Sequence, residues 1–239
     1  MSSSSFSLQE LTHTVSERLL GAKLSLNTKR LLSIATTVGS IINQELEVVS
    51  SNLPGTDTID NKTMVLLVQK KTDEILNSES STLEKILECA KETMKYRAGN
   101  CQQKSFLALD LLLTEFKKIG FATFQSLPKI EIKYSNKGEG HFYLVIDDDV
   151  ICDTWAQLYY PLSLVNESVY GQPIKSFFCI NRDWTCFEAI KGGPLEYCYP
   201  STEYTFNVAP KPCFSSGLTI FDIDSGVDKP SAKRQRYIK

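Results

Sequence analysis

The sequence predicts an α+β fold. Its first half carries apolar residues at helical spacing. Beyond Gly120 it turns to short alternating or β-rich runs, separated by Gly, Pro, Asn and Asp. Helices gathered ahead of strands indicate α+β rather than alternating βαβ units. With 239 residues, 42% hydrophobic and 23% charged, the chain can bury a full core without disulfide or metal staples.

The elements follow in order. Leu8 to Leu20 is amphipathic, and Gly21 stops it. Asn27 is a candidate cap for a second helix through Leu31, Leu32, Ile34, Val38, Ile41, Ile42 and Leu46, which "SSNLPG" breaks. A third helix is expected from Asn61 to Leu76. Thr82 begins a fourth, with Ile86, Leu87, Ala90 and Met94 on one side. The fifth opens at Cys101 and runs to Lys118 or Ile119, with Gly120 past its end. Asn100 stands as its N-cap and Gln103 at its third position, a capping-box-like pair, and Gly99 permits a tight turn before it. Phe106, Leu107, Leu109, Leu111, Leu112, Leu113 and Phe116 surround most of this helix, which marks it as central. The candidate strands are "FATF", "IEIKY", "HFYLVI", "VICDTW", "SFFCI", "TCFEAI" and "EYTFNV". The expected organisation is a helical N-terminal lobe over 1–60, a core over 61–214, and a flexible polar and basic tail over 215–239.

Composition excludes several classes. A net charge of −2 and a pI near 5.8 argue against a general nucleic-acid binder. "MSSSSFSLQELTHTVSERLL" has no uninterrupted apolar region, so no secretory signal is expected, and no stretch is apolar enough to span a membrane. The seven cysteines, at 89, 101, 152, 179, 186, 198 and 213, lack paired spacing, which suits a thiol-reducing compartment. Without CxxC, and with His13 and His141 the only histidines, no metal or other cofactor is expected. There is no P-loop, and "KGEGHF" lacks the rest of a dinucleotide fingerprint.

The chemistry centres on Cys101. At the first position of a helix a thiol meets free N–H groups and the positive end of the dipole, which favour thiolate and can stabilise an oxyanion. A nucleophile of this kind needs a base. His13 has no evident partner, whereas His141 opens the hairpin "HFYLVIDDDVICDTW". A three-residue Asp147–Asp149 loop pairs Ile146 with Val150, and hence Tyr143 with Asp153. His141 is then a diagonal neighbour of Asp153 on one face. The expected roles are nucleophile for Cys101, acid and base for His141, and orienting carboxylate for Asp153.

"GNC" at the head of an apolar helix, then "GHFYLVID", then "VICDTWA", resembles the transglutaminase-like core of the papain-like cysteine enzyme superfamily, over about residues 81–161. The resemblance implies a central helix packed on an antiparallel sheet. It also implies acyl transfer on protein amides through a thioester, as a Gln deamidase or transglutaminase. The alternatives are a cysteine protease on the same fold and a non-catalytic protein-binding module with a vestigial triad. Gln102 stands where animal-type transglutaminases have Trp, and no calcium site of their kind is evident. Asn100, Gln102 and Trp155 are the candidates for substrate binding or support. A Ser-rich start without a secretory signal resembles bacterial effectors of this superfamily, delivered into host cytoplasm by a specialised secretion system. The implied partner is a protein substrate, with no nucleic acid and with oligomeric state left open.

Overall fold

The computed structural model describes residues 8–53, 55, 56, 58–119, 128–135, 140–170 and 174–182, together with the backbone of 186–190 and 193–197. The expected strands at 121–124 and 203–208, the stop at Gly120 and the tail 215–239 lie outside those residues. Chain contacts divide the protein into residues 1–204 and 205–239, and the second unit also lies outside them.

Among the described residues the architecture is α+β. Five α-helices come first: α1 (Leu8–Leu20), α2 (Leu26–Ser40), α3 (Ile59–Leu76), α4 (Thr82–Tyr96) and α5 (Cys101–Ile119). Strands follow: β1 (Ile130–Ser135), β2 (His141–Ile146), β3 (Val150–Asp153), β4 (Leu158–Pro161), β5 (Ile174–Ile180), β6 (Cys186–Ile190) and β7 (Gly193–Tyr197). They form one sheet in the order β4-β3-β2-β1-β5-β6-β7, antiparallel at every pair.

Local chemistry sets the ends. Ser25, not Asn27, caps α2, its Oγ accepting from the Thr28 N–H at 3.0 Å. The chain is extended at Ser25, so the helix begins earlier and Asn27 falls inside its first turn. Thr28 instead donates its hydroxyl to Asp149 at 2.6 Å, which ties the positive end of α2 to the acidic β2–β3 turn. α2 ends at Ser40 and passes into a π-helical turn, Ile41–Glu45, where the Leu46 N–H reaches back to the Ile41 carbonyl. Ser81 and Glu84 complete a capping box on α4.

The hairpin takes the expected register: Ile146 faces Val150, Val145 faces Ile151 and Leu144 faces Cys152. Asp147 and Asp148 both adopt φ of 56°, the left-handed values that a tight hairpin turn needs. β3 stops at Asp153, short of the expected Trp155. The Asp153 carboxylate accepts the Ala156 N–H and bends the chain toward Gln157, which has φ of 56°.

Alternation gives the sheet two covered faces. Phe142 of β2 meets the ring of Phe106 on α5. Tyr143 and Val145, pointing the other way, join Leu11 and Val15 of α1 with Tyr160 and Val165. α5 is the most deeply set helix, with Phe106, Leu107, Ala108, Leu109 and Leu112 fully buried. Each such side chain contributes roughly 1.5–3 kcal/mol when it is a Leu or Phe.

Gly39 in α2 has a packing reason. A Cβ built there would lie 1.8 Å from the Tyr159 hydroxyl. Gly39→Ala is therefore expected to lower stability by roughly 1–3 kcal/mol, measured by urea unfolding. A change within about 0.5 kcal/mol would show that Tyr159 has room to withdraw.

Candidate active site

The approach to Cys101 is built by two strands of backbone. After α4 the chain turns through Arg97, at φ of 50°, and runs beside Val49: the Val49 N–H donates to Arg97 and the Gly99 N–H donates to Val49, both at 2.9 Å. Ser50 adds a hydroxyl bond to the Gly99 carbonyl at 3.0 Å. Gly99 is needed for close approach, since a Cβ there would lie 2.5 Å from that of Gln103. The capping pair forms in one direction. Gln103 Oε1 accepts the Asn100 N–H at 3.2 Å, while Asn100 Oδ1 turns to accept the Ser51 N–H at 3.1 Å. Asn100 thus anchors the flanking segment to the helix tip. Cys101 follows at the first position of α5, half-buried and free, with Gln102 half-buried beside it.

The hairpin brings the base and the carboxylate together. His141 Nε2 lies 2.7 Å from Asp153 Oδ2. Asp153 has no exposed surface, and its Oδ1 accepts the Ala156 N–H at 2.9 Å. With Nε2 engaged, Nδ1 is the nitrogen left for Cys101, which lies close enough to help favour the charged ring. The structure thus brings Cys101, His141 and Asp153 into one cluster. His13 stands elsewhere, paired with Glu17 on an exposed face of α1.

Burial opposes a charge on His141, but the Asp153 carboxylate outweighs it, with Cys101 adding to the same side, and the pKa is pushed up to about 10. Aromatic rings close around the imidazole. Tyr170 lies 5.2 Å away at 22°, Trp155 at 5.1 Å and Tyr143 at 6.0 Å, contacts that favour a cation. Trp155 is half-buried and donates its indole N–H to Asn52 Oδ1 at 2.9 Å. It covers His141 and ties that ring to the segment beside Asn100.

Four residues of the cluster were not read from the sequence: Asn43, Asn52, Lys104 and Tyr170. Lys104 left a trace, as the lone charge between Cys101 and Leu109. Asn43 falls inside the second helix that periodicity predicts, but nothing in the pattern singles it out, and Asn52 and Tyr170 come from a bend and a short turn that carry no period.

Among the described residues, no group of three or more His, Cys, Asp or Glu is placed to hold a metal ion. No described helix is long and apolar enough to cross a membrane. Residues 6–193 match the family described as Dot/Icm T4SS effector Ceg10. The chain belongs to that family. The match takes in all five helices and the hairpin, so each residue of the cluster lies within the part shared with this effector family. No curated protein matches the chain.

With only two histidines, the imidazole resonances separate cleanly. His141 is expected to keep its proton to about pH 10 in an NMR titration. In Asp153→Asn the main opposition to burial is lost, with only Cys101 left to favour the cation, and the midpoint is expected to fall well below 10. Because the folded-state pKa is raised, the stability linked to this proton is fully present below pH 6.5 and is lost as pH rises through about 10. A midpoint for His141 that Asp153→Asn leaves in place would show that the carboxylate does not hold the proton.

Proposed function

We propose that the protein is a cysteine-dependent acyl-transfer enzyme acting on protein amides of the host, with a transglutaminase-like, papain-like mechanism. The observation that carries this reading is the 2.7 Å contact between His141 and a carboxylate with no exposed surface. Cys101, free at the tip of α5, adds to the charge that the ring feels. The effector family supplies the setting, a protein passed into another cell.

In this reading Cys101 Sγ attacks the carbonyl carbon of an amide. The oxygen becomes an oxyanion facing the free N–H groups of the first turn of α5. The intermediate collapses as the C–N bond breaks, and the His141 imidazolium gives its proton to the departing nitrogen. The product is a thioester on Cys101. A water or a Lys amine then loses a proton to His141 and attacks the same carbon, and the sulfur leaves. If the amide is a Gln side chain, ammonia leaves first. Water then gives deamidation and an amine gives cross-linking. The sequence resemblance to the transglutaminase-like branch favours Gln. Asp153 holds the ring orientation throughout, while Asn100, Gln102 and Trp155 are the candidates to meet or support the substrate.

Wild type and Cys101→Ser, incubated with host-cell proteins and compared by peptide mass spectrometry, test the reading. Wild type is expected to convert Gln to Glu or form Gln–Lys isopeptide bonds. Cys101→Ser is expected to lose at least about 10³-fold in rate with an unchanged circular dichroism spectrum. New chain termini in place of Gln products would mean proteolysis on the same machinery, and no wild-type-dependent product at all would end the enzyme reading.

Iodoacetamide labelling probes the sulfur without a substrate. Cys89 and Cys152 are fully buried, and burial pushes both thiols up, Cys89 to about 11. Cys101 is therefore expected to label faster than Cys89 and Cys152 at neutral pH, and His141→Ala should slow it about tenfold or more. Equal labelling with and without the imidazole would argue for a binding module instead.

A further inference from the structure

Lys104 lies one turn into α5 from Cys101 and has 1% of its surface exposed. An ammonium taken out of water is costly unless it is paired. Its hydrogen bond goes to a neutral group, Asn43 Oδ1, at 2.8 Å. Asn43 in turn donates its Nδ2 to the carbonyls of Gly39 and Thr154, both at 3.0 Å. The π-helical turn Ile41–Glu45 carries Asn43 to that position. The ammonium is thus tied, through one carboxamide, to the backbone next to Asp153. Asp153 is also the carboxylate whose charge Lys104 feels. The other titratable groups packed there stay neutral. The Tyr159 hydroxyl over Gly39 and the Cys152 thiol of β3 are both pushed up by burial. His141 Nε2 meets Asp153 Oδ2 at 2.7 Å.

We propose that Lys104 is a positioning residue of the acyl-transfer site: through Asn43 it fixes the Asp153–Thr154 corner, and its ammonium shares the Asp153 charge, so that the His141 imidazolium releases its proton more readily to the departing nitrogen. This rests on the acyl-transfer reading for its catalytic consequence, while the proposed coupling of Lys104 to His141 through Asp153 can be tested without it. The physical logic is that an imidazolium held by an undivided carboxylate is a poor acid. A second cation near the carboxylate weakens that hold. A lysine kept only for packing has no such consequence, and an apolar side chain of similar length would serve as well or better.

Burial lowers the Lys104 pKa to about 8, opposed in part by Asp153, so the two cations lose their protons in sequence, Lys104 before His141. In the full chain, the His141 ring shift is expected to show a minor step near pH 8 ahead of its main transition near 10. Lys104→Met is expected to remove the minor step, leave the main one in place and keep or raise the melting temperature. Its amide turnover at pH 7 should fall about tenfold or more, and the wild-type rate should fall toward the mutant's as Lys104 loses its proton. Asn43→Ala keeps the cation but frees the Thr154 carbonyl. It should lose turnover while retaining a minor step moved to lower pH, and it serves as the second variant if Lys104→Met does not fold. A His141 titration without a step near pH 8, or a folded Lys104→Met with wild-type turnover and pH profile, overturns the proposal. Failure to find any amide product, with the coupled step present, overturns the enzyme reading and leaves the Lys104–His141 coupling standing.

Discussion

The structure turns on one buried ion pair, His141 with Asp153. A carboxylate with no exposed surface cannot stand alone, and breaking such a pair costs roughly 3–5 kcal/mol. Every polar atom of Asp153 is accordingly assigned, Oδ2 to the imidazole and Oδ1 to the Ala156 N–H. That requirement reaches outward through the β2–β3 hairpin. A slip of one residue would turn His141 and Asp153 to opposite faces. The register is pinned at its closed end, where Asp149 accepts the Thr28 hydroxyl from the first turn of α2 and Asp147 faces Arg182 at 2.7 Å. The open end is held by the rings of Tyr143, Tyr170 and Trp155 around the imidazole.

The second fixed point is the tip of α5. Its later turns are packed as an apolar core helix, with Leu109, Leu112 and Phe116 inside. Its first turn is different, since Gln103, Lys104 and Ser105 are buried there although all are polar. Gln103 is satisfied by Gln69 at 2.7 Å and by the Asn100 N–H, and Lys104 by Asn43. Buried polar groups of this kind are tolerable when their bonds are made, and they then rigidify what they touch. A nucleophile at the end of such a helix inherits that rigidity. The local pattern breaks its apolar rule at the turn that carries Cys101, as functional sites commonly do.

The two fixed points meet through short irregular segments. Residues 49–51 run beside 97–100 and reach Asn100, and Asn52 continues to the Trp155 indole. The π-turn after α2 delivers Asn43 to both Lys104 and Thr154. Ile42 and Val49 seat the two segments in the core. Their work is to join the helix tip to the end of β3, so that sulfur, ring and carboxylate share one frame.

The sequence by itself determined the α+β class, the five helices to within a few residues, the hairpin register and the candidates Cys101, His141 and Asp153. These are local properties. Period, caps and loop length act over a few residues, and three residues between two β-rich runs admit one pairing that keeps the apolar faces together. Where local signals competed, tertiary structure decided. Asn27 could cap a helix, but the extended chain at Ser25 started α2 earlier. Asn100 could cap α5 by its side chain, but the neighbouring 49–51 segment offered it the Ser51 N–H. β3 stopped at Asp153 because that carboxylate took a backbone N–H beyond it. The His141–Asp153 pair, the packing of Trp155 and Tyr170 on His141 and the burial of Lys104 against Asn43 join residues from 12 to 61 positions apart in the chain. Such contacts depend on how α2, α5 and the sheet pack, and no short window of sequence contains that information.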